Sequence, residues 1–188
     1  IPSTETTVEF VPISVKQHKN ILKVSDNILL TGFQFNININ DAILENISQN
    51  KSDILLTDRA SILLSLKQSM VSENAVIEID EKKHEVDLKP HVETFKDIKV
   101  NKKLLNRTVS LNKFKVHCKI PTIQYDTSIN KSVKTRLEAK KEDSLLGSMG
   151  EIFIYELIKF IEGIDTGTTS IEFKELTFDQ RVQVCEMI

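Results

Sequence analysis

Leu55-Leu-Thr-Asp-Arg-Ala-Ser-Ile-Leu-Leu-Ser-Leu-Lys67 sets a helix-start signal directly against the densest helical run of aliphatic residues in the chain. The Thr57 hydroxyl is placed to accept a free first-turn amide as an N-cap. Asp58 then falls where the positive end of the helix dipole favours an anion. Ile62, Leu63, Leu66 and Met70 recur at three- and four-residue steps, and Leu64 widens the stripe. A stripe this wide predicts a central core helix with other segments packed around it. Asp58 and Arg59 read as capping and surface charge at its start.

The residues upstream supply those segments. Ile1–Thr7 is polar and reads as a frayed lead-in, and Val8–Ile13 as a short edge strand limited by Pro12. Ser14 with Gln17 has capping-box spacing and opens a helix from about Val15 that ends before Gly32. Gly32-Phe-Gln-Phe-Asn-Ile-Asn-Ile-Asn40 alternates strictly, as a strand would. Continued onward, however, Phe33, Ile37 and Leu44, with Phe35, Ile39, Ile43 and Ile47, fall at helical spacing. The whole piece is read as one helix. Asn50–Asp53 is a turn.

Downstream the period changes. Val76–Ile79, Glu85–Leu88, Thr108–Leu111 and Lys113–Ile120 are short alternating runs, broken by polar turns and by Pro90 and Pro121. They predict a small antiparallel sheet at about 73–125. Residues 127–143 are so polar that the linker at about 126–146 reads as a solvated connecting helix or a mobile segment. Gly147–Gly150 breaks the chain, and Glu151–Ile161 forms a strong helix. Gly163 and Gly167 mark a loop, and Thr177 with Gln180 caps a last helix. The fold class expected is α+β: helical N-terminal (1–72) and C-terminal (126–188) parts packed together, with the β-rich piece inserted between them.

At 188 residues the chain can bury a core without metals or disulfides. A net charge of −2 sets up no global attraction to nucleic acid or an anionic membrane. Cys118 and Cys185 lack zinc-site spacing and read as small core residues. No apolar run is long enough to cross a bilayer and no signal peptide opens the chain. A start at Ile1, and an end at Ile188 within an apolar helical pattern, read as a processed chain or a fragment.

Little in the residues points to catalysis. His18, His84, His91 and His117 form no metal motif, and His117, alternating with Val116 and Cys118 on a strand, is expected to face solvent. There is no phosphate-binding glycine loop or nucleophile elbow. The chain reads as a non-enzyme, with no cofactor, metal or small-molecule substrate. Lys96, Lys99, Lys102, Lys103, Arg107, Lys113, Lys115 and Lys119 make 96–119 locally basic, with only Phe95 and Phe114 among them. That leaves a nucleic-acid-binding accessory protein as the alternative function, and an adaptor of unrelated origin as a third.

Three ordered stretches resemble the baseplate hub and hub-assembly proteins of contractile-tailed, T-even-like bacteriophages. The first is Val8-Glu-Phe-Val-Pro-Ile-Ser-Val-Lys-Gln-His-Lys-Asn-Ile-Leu-Lys23, similar to the family's opening strand and lysine-rich helix. The second is Phe35-Asn-Ile-Asn-Ile-Asn-Asp-Ala-Ile-Leu-Glu-Asn46 with Thr57-Asp58-Arg59 and Leu63-Leu-Ser-Leu-Lys67. The third is Val116-His-Cys-Lys-Ile-Pro-Thr-Ile123, then Gly150–Ile161 and the Leu176–Arg181 helix start. The motifs are aliphatic; their order and spacing carry the resemblance.

The resemblance implies a structural or assembly (chaperone-like) protein of the tail baseplate hub, acting by contact with other tail proteins. It would be found in the virion or in the host cytoplasm during assembly; independently of the resemblance, charge argues against a nucleic-acid partner and hydropathy offers no membrane segment. Family members often carry cysteine pairs in the central β region, suggestive of a metal knuckle; Ile77–Val100 has none, so no metal is carried over. Apolar residues on the last two helices are the candidate partner contacts: Phe153, Tyr155 and Phe160, and Phe178, Val182 and Met187.

Overall fold

The alternating run around Phe35 is helical. In a computed structural model, which describes residues 1–23, 28–48, 51–70, 74–98, 100–101, 103, 105–140 and 149–187, it lies within helix α2 (Ile28–Asn46). The helical period puts Phe33, Ile37, Ile43 and Ile47 inside, with Asn40 among them. Gly32, expected beyond a helix end, lies within α2, where nothing crowds it. Before it, α1 (Val15–Ile21) is short and opens on the Ser14–Gln17 capping box.

The expected central helix is α3 (Arg59–Met70), entered through a 3-10 turn at Leu56–Asp58. Its cap differs from the expectation. Thr57 is exposed, and Asp58 is fully buried, accepting from the Leu55 amide at 3.0 Å. The Ser3 amide also donates to Asp58, at 2.9 Å, as does the Ser3 hydroxyl. Asp58 is therefore not surface charge, and the lead-in is not frayed at Ser3, because a buried carboxylate needs those donors. Val8–Ile13 forms no strand beyond the single bridge Phe10–Ile47.

Strands β1 (Asn74–Ile79) and β2 (Lys82–Asp87) form a two-stranded ribbon turning at Asp80–Glu81, where both residues have positive φ. Helix α4 (Lys89–Asp97), which the strand-like reading of this region did not anticipate, follows with Pro90 in its first turn. Strands β3 (Asn106–Leu111) and β4 (Phe114–Lys119) form the second hairpin.

Of the two forms expected for the linker at 126–146, the helix is found over most of its length, but it is packed in the core rather than solvated. Residues 123–138 are helix α5, capped by Thr122, and Ile129, Val133 and Leu137 recur on its buried face against α2. Lys131 and Glu138 lie outside, so the high average polarity belongs to one face. Residues 141–148, with the Gly147 part of the expected break, lie outside the described residues.

Helix α6 (Met149–Ile158) ends three residues before Ile161, which opens strand β5 (Ile161–Asp165). With β6 (Ser170–Glu172), the stretch expected to be a loop completes an antiparallel sheet of order β3-β4-β5-β6. The C-terminal part is thus not all helical, and the 73–125 strands do not form one separate insertion: β1 and β2 pair with each other, but β4 pairs with β5. Helix α7 (Phe178–Glu186) carries the Thr177–Gln180 capping box. The architecture is α+β. One core lies between α2, α5, α6 and α7, a second between α2, α3 and the start of α5, and a third under the four-stranded sheet.

Candidate functional site

Helix α5 turns two polar residues inward one turn apart, Asp126 and Asn130. Lys159, just past the end of α6, meets them. Its ammonium lies 2.9 Å from Asp126 Oδ1, donates to Asn130 Oδ1 at 2.7 Å, and reaches Glu156 Oε1 at 2.7 Å. The other Asp126 oxygen accepts from Asn40 Nδ2 at 2.8 Å and Asn130 Nδ2 at 2.9 Å. Arg59 extends the chain of bonds by donating to Asn40 Oδ1 at 3.4 Å and to Asn36 Oδ1 at 3.1 Å. The centre therefore ties α2, α3, α5 and the end of α6 together. Every polar group in it has a partner, which is the condition under which buried polarity is tolerated. With Asp126 and Lys159 each 2% exposed, it is a fixed strut that no substrate can reach.

The outer face of the four-stranded sheet holds the second cluster. The register sets Thr108, His117 and Gly163 in one row and Ser110, Lys115, Asp165 and Ser170 in the next. His117 Nε2 lies 2.8 Å from Asp165 Oδ2, and Nδ1 lies 3.1 Å from the Thr108 hydroxyl. The hydrogen bond from Ser170, and then that from His117, hold the Asp165 carboxyl below its ordinary value. His117 is thus on the solvent side, half-exposed and paired. Hydroxyl, imidazole and carboxylate in line resemble the relay of nucleophilic hydrolases. Here Thr108 sits exposed on the edge strand, without the water-excluding enclosure in which such a relay gains its power.

Beside the sheet a cleft of about 410 Å³ is lined by Leu55, Tyr125, Ile161 and Phe173, with Lys119 and Lys174 in its wall. At Tyr125 the Arg181 guanidinium stacks over the ring at 5.5 Å and donates to the hydroxyl at 2.7 Å. Among the described residues no group of three His, Cys, Asp or Glu side chains is placed to hold a metal ion. The basic stretch is partly neutralised: Lys119 pairs with Glu162 at 3.2 Å. Lys99 and Lys102 lie outside the described residues, as does the Lys96 side chain.

The six candidate contact residues divide. Phe153 and Met187 are exposed, at 66% and 72%. Tyr155 and Val182 are core residues, at 1% and 5%, and are corrected as contact candidates. Phe178 is half-buried, tilted against the Tyr155 ring at 5.5 Å with Arg136 over both rings. Phe160 is half-buried in the turn before β5. Burial pushes the Tyr155 hydroxyl up to about 12, aided by its hydrogen bond to Glu151. Leu157, one turn from Phe153 on α6 and 40% exposed, belongs with Phe153, and its i, i+4 spacing was the available signal.

No family model, curated protein or solved structure matches this chain. Among the described residues no helix is long and apolar enough to cross a membrane.

Proposed function

We propose that this chain is a non-enzymatic structural or assembly protein of a bacteriophage tail baseplate hub, working through protein–protein contacts. The ordered resemblance of its aliphatic stretches to hub and hub-assembly proteins motivates the reading. The observation that carries it is the outer face of α6: Phe153 and Leu157 stand out one turn apart on a helix whose opposite side, through Tyr155 and Ile158, is core. An aromatic and an aliphatic side chain left outside a satisfied core suit a partner surface.

The test is coexpression with the hub proteins of a contractile tail, followed by size-exclusion chromatography. A stable complex that Phe153→Ser and Leu157→Ser weaken is the expected result. Elution as an unaccompanied chain with every candidate overturns the proposal.

A further inference from the structure

Helix α1 buries none of its residues. Its position is fixed by polar tethers instead. The Ser14–Gln17 capping box closes its first turn. Gln17 Nε2 donates to Glu45 Oε2 at 2.6 Å, and Asn38 Nδ2 donates to the Asn20 carbonyl at 2.6 Å, which also accepts from the Lys23 amide at 3.2 Å. Only Ile21 leans on the core beneath. These tethers hold Gln17, Asn20 and Ile21 inward and decide which side faces out.

At about 100° per residue, Val15, Lys16, Lys19 and Leu22 fall within roughly 120° of the outer circumference. Val15 is 73% and Leu22 61% exposed, two turns apart, and Lys16 and Lys19 run along their flank, continued by exposed Lys23. The helix has no acidic residue in its first turn, and none of the ion pairs among the described residues uses Lys16, Lys19 or Lys23. The result is an aliphatic rail beside a row of unneutralised ammonium groups. Lys131 and Lys174, by contrast, are matched, with Asp41 and Glu172.

We infer that the outer face of α1 docks an acidic, amphipathic segment of a partner protein, its carboxylates meeting Lys16, Lys19 and Lys23 and its apolar side chains covering Val15 and Leu22. Charge complementarity selects the occupant. A nucleic-acid backbone would use the lysines and leave the aliphatic rail wet, and the face offers no aromatic ring for base stacking. An anionic membrane calls for a longer helix with a deeper apolar side, including aromatic residues. The inference rests on the contact-based reading of function and names a surface separate from the α6 face.

The test uses the full chain and a labelled synthetic helical peptide with leucines on one face and glutamates flanking them, followed by fluorescence anisotropy. The expected result is saturable, salt-sensitive binding. Lys16→Gln, Lys19→Gln and Lys23→Gln together should weaken it at least about tenfold, and Val15→Ser with Leu22→Ser should weaken it without changing the salt dependence. All five positions are exposed, so circular dichroism should be unchanged. A glutamine-for-glutamate peptide, a DNA duplex and phosphatidylglycerol vesicles serve as competitors. No binding of the acidic peptide, binding indifferent to the lysines, or tighter binding of duplex or vesicles overturns the inference. Peptide binding that persists while every hub protein fails to associate removes the hub assignment and leaves the docking face standing.

Discussion

The Lys159 ammonium lies 2.9 Å from the Asp126 carboxylate, and both side chains are only 3% exposed. Two charges taken this far out of water cost more than their attraction returns unless further hydrogen bonds complete them, and here Asn40, Asn130 and Glu156 do so. The strut's value lies in its dependence on all its members. Lys159→Met leaves the Asp126 charge buried without its cation and should cost about 3–5 kcal/mol in urea unfolding of the full chain. Asp126→Leu should cost a similar amount. The double variant should lose less than the two singles together, by about 1–3 kcal/mol. Simple additivity would show that the pair is not coupled.

Asp58 supports a second long-range link. Its carboxylate accepts from the Ser3 amide and hydroxyl and the Leu55 amide while it stands fully buried at the entry to α3. Ser3→Ala removes one donor and should cost about 1–2 kcal/mol. Asp58→Asn puts a donor where amides point, and should cost about 2–3 kcal/mol. Limited proteolysis should show the first residues cut faster in both variants, because the same bonds pin them to α3. Unchanged cleavage in Asp58→Asn would mean that the lead-in is held by something else.

The aliphatic period revealed most of the elements, and the polar interior was hidden. Ser14 with Gln17 and Thr177 with Gln180 were legible because a capping box is local chemistry at fixed spacing. Helix α2 was legible because Phe33, Ile37 and Ile43 keep a helical period through an alternating surface pattern. Asp126, Asn130 and Lys159 were not, since a polar residue read alone looks exposed, and the Asn40–Asp126 bond spans 86 positions. The same blindness made α5 look like a solvated connection. Strand β5 was missed because its pairing comes from β4, and Gly163 and Gly167 read as a loop. Asp58 was singled out at the right place for the dipole, but nothing local announces Ser3.

Asp165 should carry a measurable pH signature. Hydrogen bonds from Ser170 and then His117 depress its folded-state titration below the ordinary carboxylate value of about 3.9. Near that value the folded chain therefore binds fewer protons at this site than the unfolded chain does. The resulting stability is present above the unfolded value and is lost as pH falls through the depressed one. Carboxyl-carbon NMR should place the Asp165 midpoint low, and Ser170→Ala and His117→Asn should each move it upward. A midpoint at the ordinary value in the unmodified chain would show that these bonds do not form in solution.

Cys185 and Cys118 should behave as shielded thiols. Burial, and secondarily the neighbouring Glu186 charge, pushes the Cys185 thiol up to about 11, and burial raises Cys118 as well. The thiolate is the reactive form, so reaction with an aromatic disulfide reagent at pH 8 should be slow for the folded chain and rapid once urea unfolds it. The unfolded chain ionises first, so stability should decline as pH rises from about 8.5 toward the Cys185 value. Fast labelling of the folded chain at both cysteines would contradict the burial.

Gly163 tests the half of the sheet that the sequence did not announce. It pairs with His117 on one side and Glu172 on the other, and a Cβ there would sit 2.8 Å from the Ile171 carbonyl oxygen. That neighbour is backbone, so it cannot rotate away; β6 itself would have to move. Strand β6 is held to β5 by only three residue pairs, Gly163–Glu172, Ile164–Ile171 and Asp165–Ser170. Displacing it should loosen the last of these, beside the His117 cluster. Gly163→Ala should therefore destabilise by about 1–3 kcal/mol and raise the Asp165 midpoint toward the ordinary value. Gly32→Ala is the matched control, because it lies within α2 with nothing within 4 Å of the added carbon. Relief of the glycine's backbone entropy should make that variant more stable by about 0.5–1 kcal/mol. Opposite signs from one chemical change would separate a steric requirement at β5 from a general tolerance of alanine. The same sign at both positions would mean that β6 does not press on β5 as described.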